Sequence, residues 1–195
     1  MVKAARAQGI AIAPADRVDA RAFLARGTDR YDYLILDVFN GDTTPGHLLS
    51  LEAMRLAKAR LSDKGVVAIN LIGSLGAHAQ MTHSMINTLR AVFANVAVYP
   101  LFLPKEEEAA GNMVLIAYDG APRSSDAGEI HRLAIHPMAA ALVRPALVRP
   151  MPLPAHMPAA VLTDDYNPLD VRDLWIKEWL RKAILDTTHI DILLG

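Results

Sequence analysis

The 195-residue chain has no cysteine. That excludes disulfides, thiolate zinc sites and a cysteine nucleophile, and it is compatible with a cytoplasmic setting. Net charge is equally scarce: 20 basic and 21 acidic residues leave −1. Nothing in that balance directs the chain to nucleic acid or to an anionic membrane surface. The apolar stretch Ile10–Ala15 is too short for a signal-peptide core and is followed by Asp16 and Arg17. The segment 66–89 lacks Asp, Glu, Lys and Arg, but Asn70, Ser74, His78, Gln80, Thr82, His83, Ser84 and Asn87 would be costly in lipid, and Gly73 and Gly76 punctuate it. It reads as a buried strand, a turn and a half-buried helix rather than a membrane span. The histidines do not cluster. His78 and His83 are five apart, as are His131 and His136, and no H-E-x-x-H occurs, so no metal site is expected. A hydrolase triad has no support without a G-x-S-x-G elbow. No G-x-G turn follows a strand anywhere.

What is present is a globular composition, 52% hydrophobic and 21% charged, long enough for one domain with a real core. The eight methionines are scattered and read as core filler. Strand and helix patterns alternate, which predicts a parallel sheet with helices on its faces. Helices are expected at Val2–Gln8, from Asp19-Ala20-Arg21 to about Ala25, at Ser50–Leu61 with Ser50 as N-cap, and at His78–Phe93. Strands are expected at Ala15–Val18, Tyr33–Asp37, Val66–Leu71, Val96–Phe102 and Asn112–Tyr118. The last two suit an antiparallel edge hairpin whose loop, Pro104–Gly111, carries three glutamates on a solvated tip. A helix is expected within Ser125–Val143. The tandem pentapeptide ALVRPALVRP, Ala141–Pro150, is too few copies for a solenoid, which needs about three or more stacked units. Prolines 145, 150, 152, 154 and 158 then predict an extended connector over 144–160, followed by an amphipathic C-terminal helix over 170–186 with Trp175 and Trp179 on one face.

The segment Tyr31–Leu49, YDYLILDVFNGDTTPGHLL, is the most informative. A short apolar run ends in an acid, Asp37, and a loop with Asn40, Gly41, Asp42, Pro45, Gly46 and His47 follows. In an open α/β sheet, ligands gather beyond the carboxyl ends of parallel strands. A carboxylate there, with a loop able to fold over it, has the makings of a site.

This segment resembles the fourth strand and gate loop of the aminopropyltransferases (spermidine synthases) and their bacterial spermidine synthase-like relatives. LSDKGVVAIN, Leu61–Asn70, is similar to that family's L-x-x-x-G-V-apolar-apolar-x-N strand, and LTDDYNPLD, Leu162–Asp170, resembles a C-terminal block of the spermidine synthase-like branch. Three blocks in this order make the resemblance fairly specific. It implies a methyltransferase-type Rossmann-like α/β sheet, mostly parallel with an antiparallel edge hairpin. Because the Gly-rich nucleoside turn and the ribose acid are missing, it also implies a single partial domain over 1–195, N-terminally truncated, with VKAAR at Val2–Arg6 similar to the helix after the second strand.

The resemblance implies transfer of an aminopropyl group from decarboxylated S-adenosylmethionine to a small-molecule amine, without a metal and in a homodimer. Asp37 would then orient the amine and accept its proton; as a plain strand-end acid it would cap the loop behind it. Asn40 stands where the family often has a second Asp of D-x-x-D, which weakens the pull on a cationic amine. Asp42 either compensates as a substrate contact or forms an Asx turn. Asp19 and the following Ala20 match the place that meets the adenine; Asp19 is equally a good N-cap. Asp165 and Tyr166 are candidates near the substrate entrance, whereas Asp164 reads as part of a capped turn and His47 as a surface residue. The alternatives are a methyltransferase-like protein using S-adenosylmethionine itself, and a non-catalytic remnant that acts by association.

Overall fold

The computed structural model describes residues 19–37, 45–102, 110–124, 126–148, 150–169 and 174–187. The helix expected at Val2–Gln8, the strand at Ala15–Val18, and the glutamate loop tip lie outside them.

The first element, α1 (Ala20–Arg26), starts because the Asp19 carboxylate accepts from the Ala22 backbone N–H at 2.9 Å. The apolar run after it forms β1 (Tyr31–Leu36). A 3₁₀ turn over Gly46–Leu48 leads to α2 (Leu51–Ala59), capped by the buried Ser50 hydroxyl, which accepts from Ala53 N–H at 3.2 Å. Then come β2 (Leu61–Ser74), α3 (Gln80–Arg90), β3 (Asn95–Pro100), β4 (Ala110–Tyr118), α4 (Ala127–Arg132), α5 (Pro137–Val148) and α6 (Leu174–Thr187). Among the described residues, no helix is long and apolar enough to cross a membrane.

The sheet is mixed and open, in the order β1-β2-β4-β3. β1 and β2 run parallel, with Tyr33 opposite Val66 and Leu36 opposite Ile69. The β3–β4 hairpin is antiparallel and attaches through β4 to β2. Alternation then decides the faces. Val67, Ile69 and Leu71 of β2 and Met113, Leu115 and Ala117 of β4 are buried on one face, against Met54 of α2 and Met85, Ile86 and Leu89 of α3. Each fully buried aliphatic side chain contributes about 1.5–3 kcal/mol. The opposite face carries Asn70 and Asn112 and, on β1, the exposed Tyr33 and Ile35.

Two expectations are corrected. The helix expected within Ser125–Val143 is two helices, and the second continues through Pro145 to Val148, so the connector expected from 144 begins only after it. The C-terminal helix is described from Leu174 to Thr187; residues 170–173 lie outside the described set. It is held at its start by Trp175, whose ring stacks on His78 at 4.1 Å between centroids.

The Pro-rich segment does not float. Met151 N–H donates to Val98 O at 2.8 Å. The Asn87 side-chain amide donates to Met157 O and Ala159 O at 3.1 and 2.7 Å, and Arg90 donates to Pro154 O at 2.8 Å. Leu162 N–H donates to the buried Thr88 hydroxyl at 2.8 Å, while Leu162 O accepts from Leu51 N–H at 2.7 Å. A segment without regular structure still has backbone groups to satisfy, and side chains of α3 together with backbone groups of β3 and α2 supply partners for them.

Candidate functional site

Asp37 follows the last residue of β1 and is exposed. The parallel register that sets Leu36 opposite Ile69 puts the next residue pair, Asp37 and Asn70, side by side. The Asn70 amide donates to Asp37 Oδ1 at 2.9 Å. On β4, Asn112 donates in turn to Asn70 Oδ1 at 3.1 Å. One carboxylate is thus held by a chain of amides across three neighbouring strands. The loop after Asp37, with Asn40 and Asp42, lies outside the described residues.

Where the chain is described again, at Pro45–Gly46–His47, it is anchored from two sides. Asn167 donates to Gly46 O at 2.7 Å, and its side chain packs so close that a methyl at Gly46 would come within 3.4 Å of it. His47 Nε2 lies 2.9 Å from Asp19 Oδ2, and His47 O accepts from Arg21 Nη1 at 3.1 Å. Arg21 also grips Asp164 with both guanidinium nitrogens, Nη1 to Oδ1 at 2.7 Å and Nη2 to Oδ2. Such forked pairing is the strongest form of carboxylate recognition by arginine. It holds the Asp164 carboxyl down to about 2, with help from the Ser50 hydroxyl, and raises the Arg21 pKa. Ala22 N–H, and after it His47, keep the Asp19 carboxyl below its ordinary range.

The turn that delivers Asp164 is closed by Thr163 and Tyr166, whose backbone groups bond each other at 3.0 and 3.2 Å. Asp165 and Tyr166 point away from the core: Asp165 is exposed and Tyr166 is 47% exposed. The structure therefore brings Asp19, Ala20, His47 and the Asp164–Asn167 turn into one cluster around Arg21. Asp37 stands apart, with Asn70 and Asn112.

No protein-family model matches the chain. An N-terminal histidine N-methyltransferase of Emericella nidulans is 34% identical over 86 residues, 42% of this chain and 15% of that protein. A polyamine aminopropyltransferase of Vibrio vulnificus is 30% identical over 102 residues, 51% of this chain and 31% of that protein. Among solved structures, a probable spermidine synthase from Corynebacterium glutamicum matches 80% of this chain and 62% of that one, with a TM-score of 0.51 at 21% identity. Over about half its length the chain is thus similar to polyamine aminopropyltransferases. Its α/β fold, with a mixed open sheet, is similar to that of the Corynebacterium structure. The matched segments span less than a third of either curated relative.

Several residues of the cluster and of the Asp37 site carried little signal in the sequence. Asn70 was visible as the last residue of the L-x-x-x-G-V-apolar-apolar-x-N resemblance but with no role attached, and Asn112 as the first residue of another strand pattern. A strand register was needed to bring them to Asp37. Arg21 looked like an ordinary helix residue because its partner, Asp164, lies 143 positions away. His47 looked like a surface residue, and at 50% side-chain exposure it is one, yet it contacts the acid that also caps α1.

Proposed function

We propose that this chain carries an aminopropyl-transfer site whose amine side is built on Asp37. The observation that carries the reading is the Asp37 carboxylate at the carboxyl end of a parallel strand, clamped by an amide. The amine nitrogen attacks the propyl carbon bound to the sulfonium of decarboxylated S-adenosylmethionine. A C–N bond forms, the C–S bond breaks, methylthioadenosine leaves as a neutral thioether, and the surplus proton passes from nitrogen to Asp37. The Asp165 carboxylate and the Tyr166 ring, exposed on the Thr163–Tyr166 turn, supply charge and contact area for a cationic amine.

Asp19 fits the nucleoside side. An ionised carboxylate offers about four lone-pair sites, and Asp19 uses one toward Ala22 and one toward His47, so it can still accept from an exocyclic adenine amine.

The test is release of methylthioadenosine from decarboxylated S-adenosylmethionine over a panel of amines. Asp37→Asn should lower turnover about 10²–10⁴-fold, the usual worth of general-base catalysis, and leave nucleoside affinity nearly unchanged. Near-normal turnover of the variant on every accepted amine would make Asp37 structural. The likeness to a histidine N-methyltransferase favours a second reading, methyl transfer from S-adenosylmethionine. Running the same panel with S-adenosylmethionine as donor separates them, since methyl transfer then yields S-adenosylhomocysteine and no methylthioadenosine.

A further inference from the structure

We propose that Asn112 and Asn70 are positioning residues: an amide relay that fixes the Asp37 carboxylate in the orientation the amine needs. This rests on the aminopropyl-transfer reading and assigns it two residues outside the loop. The chemistry of the groups dictates the direction of the relay. An ionised carboxylate only accepts, so Asn70 must turn its NH₂ toward Asp37. That leaves the Asn70 oxygen facing the other way, where Asn112 meets it with its own NH₂. One charge thus sets the rotamer of two amides in series. A flipped Asn70 would put oxygen against carboxylate at one end and NH₂ against NH₂ at the other.

The placement argues for a purpose beyond filling the sheet. Asparagine is disfavoured in strands, yet two of them interrupt a face on which their strand neighbours are Ala68 and Ile72 on β2 and Ala110 and Val114 on β4. The register sets Asn112 opposite Ile72 and Asn70 opposite Val114, so the two amides meet diagonally across β2 and β4 and end at Asp37 on β1. Both strands are interior to the described sheet, so the relay is held by rigid elements rather than by a loop, as a preorganised site requires. It spends Asp37 Oδ1 and leaves Oδ2 for the amine. Asn70 has its oxygen and one N–H committed, which makes it a holder of the carboxylate rather than a contact for substrate.

The experiment has two arms on the full chain. In ¹⁵N spectra without ligand, the side-chain amide signals of Asn70 and Asn112 are assigned by their loss in Asn70→Ser and Asn112→Ala. Asp37→Ala should then move both signals, Asn70 more than Asn112. Unmoved signals would overturn the relay even if Asp37 proves catalytic. In the transfer assay, Asn70→Ser should lower kcat about ten- to a hundredfold and Asn112→Ala several-fold, with the KM for the nucleoside unchanged. In the Asp37→Ala background, neither should lower the residual rate further, because both act through that carboxylate. Additive losses would mean a merely structural role and overturn the proposal while the base reading stands. Asn112 is exposed, so its truncation keeps the fold testable if Asn70→Ser does not. If the amides respond to Asp37→Ala but no amine is ever alkylated, the aminopropyl reading fails, and the relay with it loses the amine it was proposed to serve.

Discussion

Gly65 lies where the register of β1 on β2 slips between Tyr31 and Tyr33. A methyl group there would sit 2.9 Å from the Tyr31 carbonyl oxygen and 2.8 Å from Leu61 Cβ. Neither is the loose end of a side chain, so the backbone would have to give. Gly65→Ala should therefore cost about 1–3 kcal/mol, the usual penalty of overpacking, read as a lower urea midpoint at unchanged slope. A neutral outcome would mean the slip is soft. At this scale the sequence was most legible where a residue acts on its own neighbours. The Asp19 cap on α1 and the Ser50 cap on α2 were both readable, since the donor lies three residues on. Asp37 was readable as a strand-end acid because the apolar run stops there. What was illegible depends on long-range pairing. The Asp19–His47 contact and the Asn70–Asp37 bond join residues 28 and 33 positions apart, and no local pattern encodes either.

Elements were legible in kind and less so in extent. β2 was expected from Val66 to Leu71 and runs from Leu61 to Ser74, because pairing to β1 and β4 extends it beyond its apolar centre. The tandem pentapeptide shows how context overrides a local rule. Its first proline, Pro145, is inside α5, while its second, Pro150, falls after the helix has ended. A proline costs a helix one hydrogen bond and a clash, which packing of α5 against β3 offsets. Between elements, the Arg21–Asp164 pair joins α1 to the turn before α6 across side chains 26% and 39% exposed. Solvent screening at that exposure limits its worth to about 0.2–1 kcal/mol. Its pH dependence has a definite sign. The folded carboxyl, at about 2, lies below its ordinary 3.8, so the pair stabilises the fold at neutral pH. That contribution fades as the pH falls from about 4 through 2, where Asp164 protonates in the folded state as well. Arg21→Gln should accordingly be less stable than the parent at pH 7 and nearly equal to it at pH 2. A gap that persists undiminished at pH 2 would assign the Arg21 contribution to its bond with His47 O instead.

At the scale of the molecule, the polar face of α3 ties the strap over 150–163 to the rest, and through it the candidate site. Thr88 is fully buried; its hydroxyl donates to Ser84 O at 2.7 Å and accepts from Leu162 N–H at 2.8 Å. Leu162, itself fully buried, immediately precedes the Thr163–Tyr166 turn that carries Asp164 to Arg21, and Asn167 to Gly46. Thr88→Val keeps the shape of the side chain and removes the acceptor. It leaves the Leu162 N–H buried without a partner, a loss of about 1–3 kcal/mol. Opening of the strap avoids that penalty by returning the N–H to water, so the loss should fall on local opening before it falls on global unfolding. Limited proteolysis at neutral pH should then cut Thr88→Val between Met151 and Leu162 several-fold faster than the parent, while the sheet resists in both. The same variant should loosen the hold of Asn167 on Gly46, where the chain after Asp37 is next described. Amine turnover should consequently fall in a variant that touches neither substrate nor Asp37. Uniform acceleration of cutting throughout the chain would show instead that strap and sheet open as one unit, and that Thr88 stabilises the whole rather than its edge.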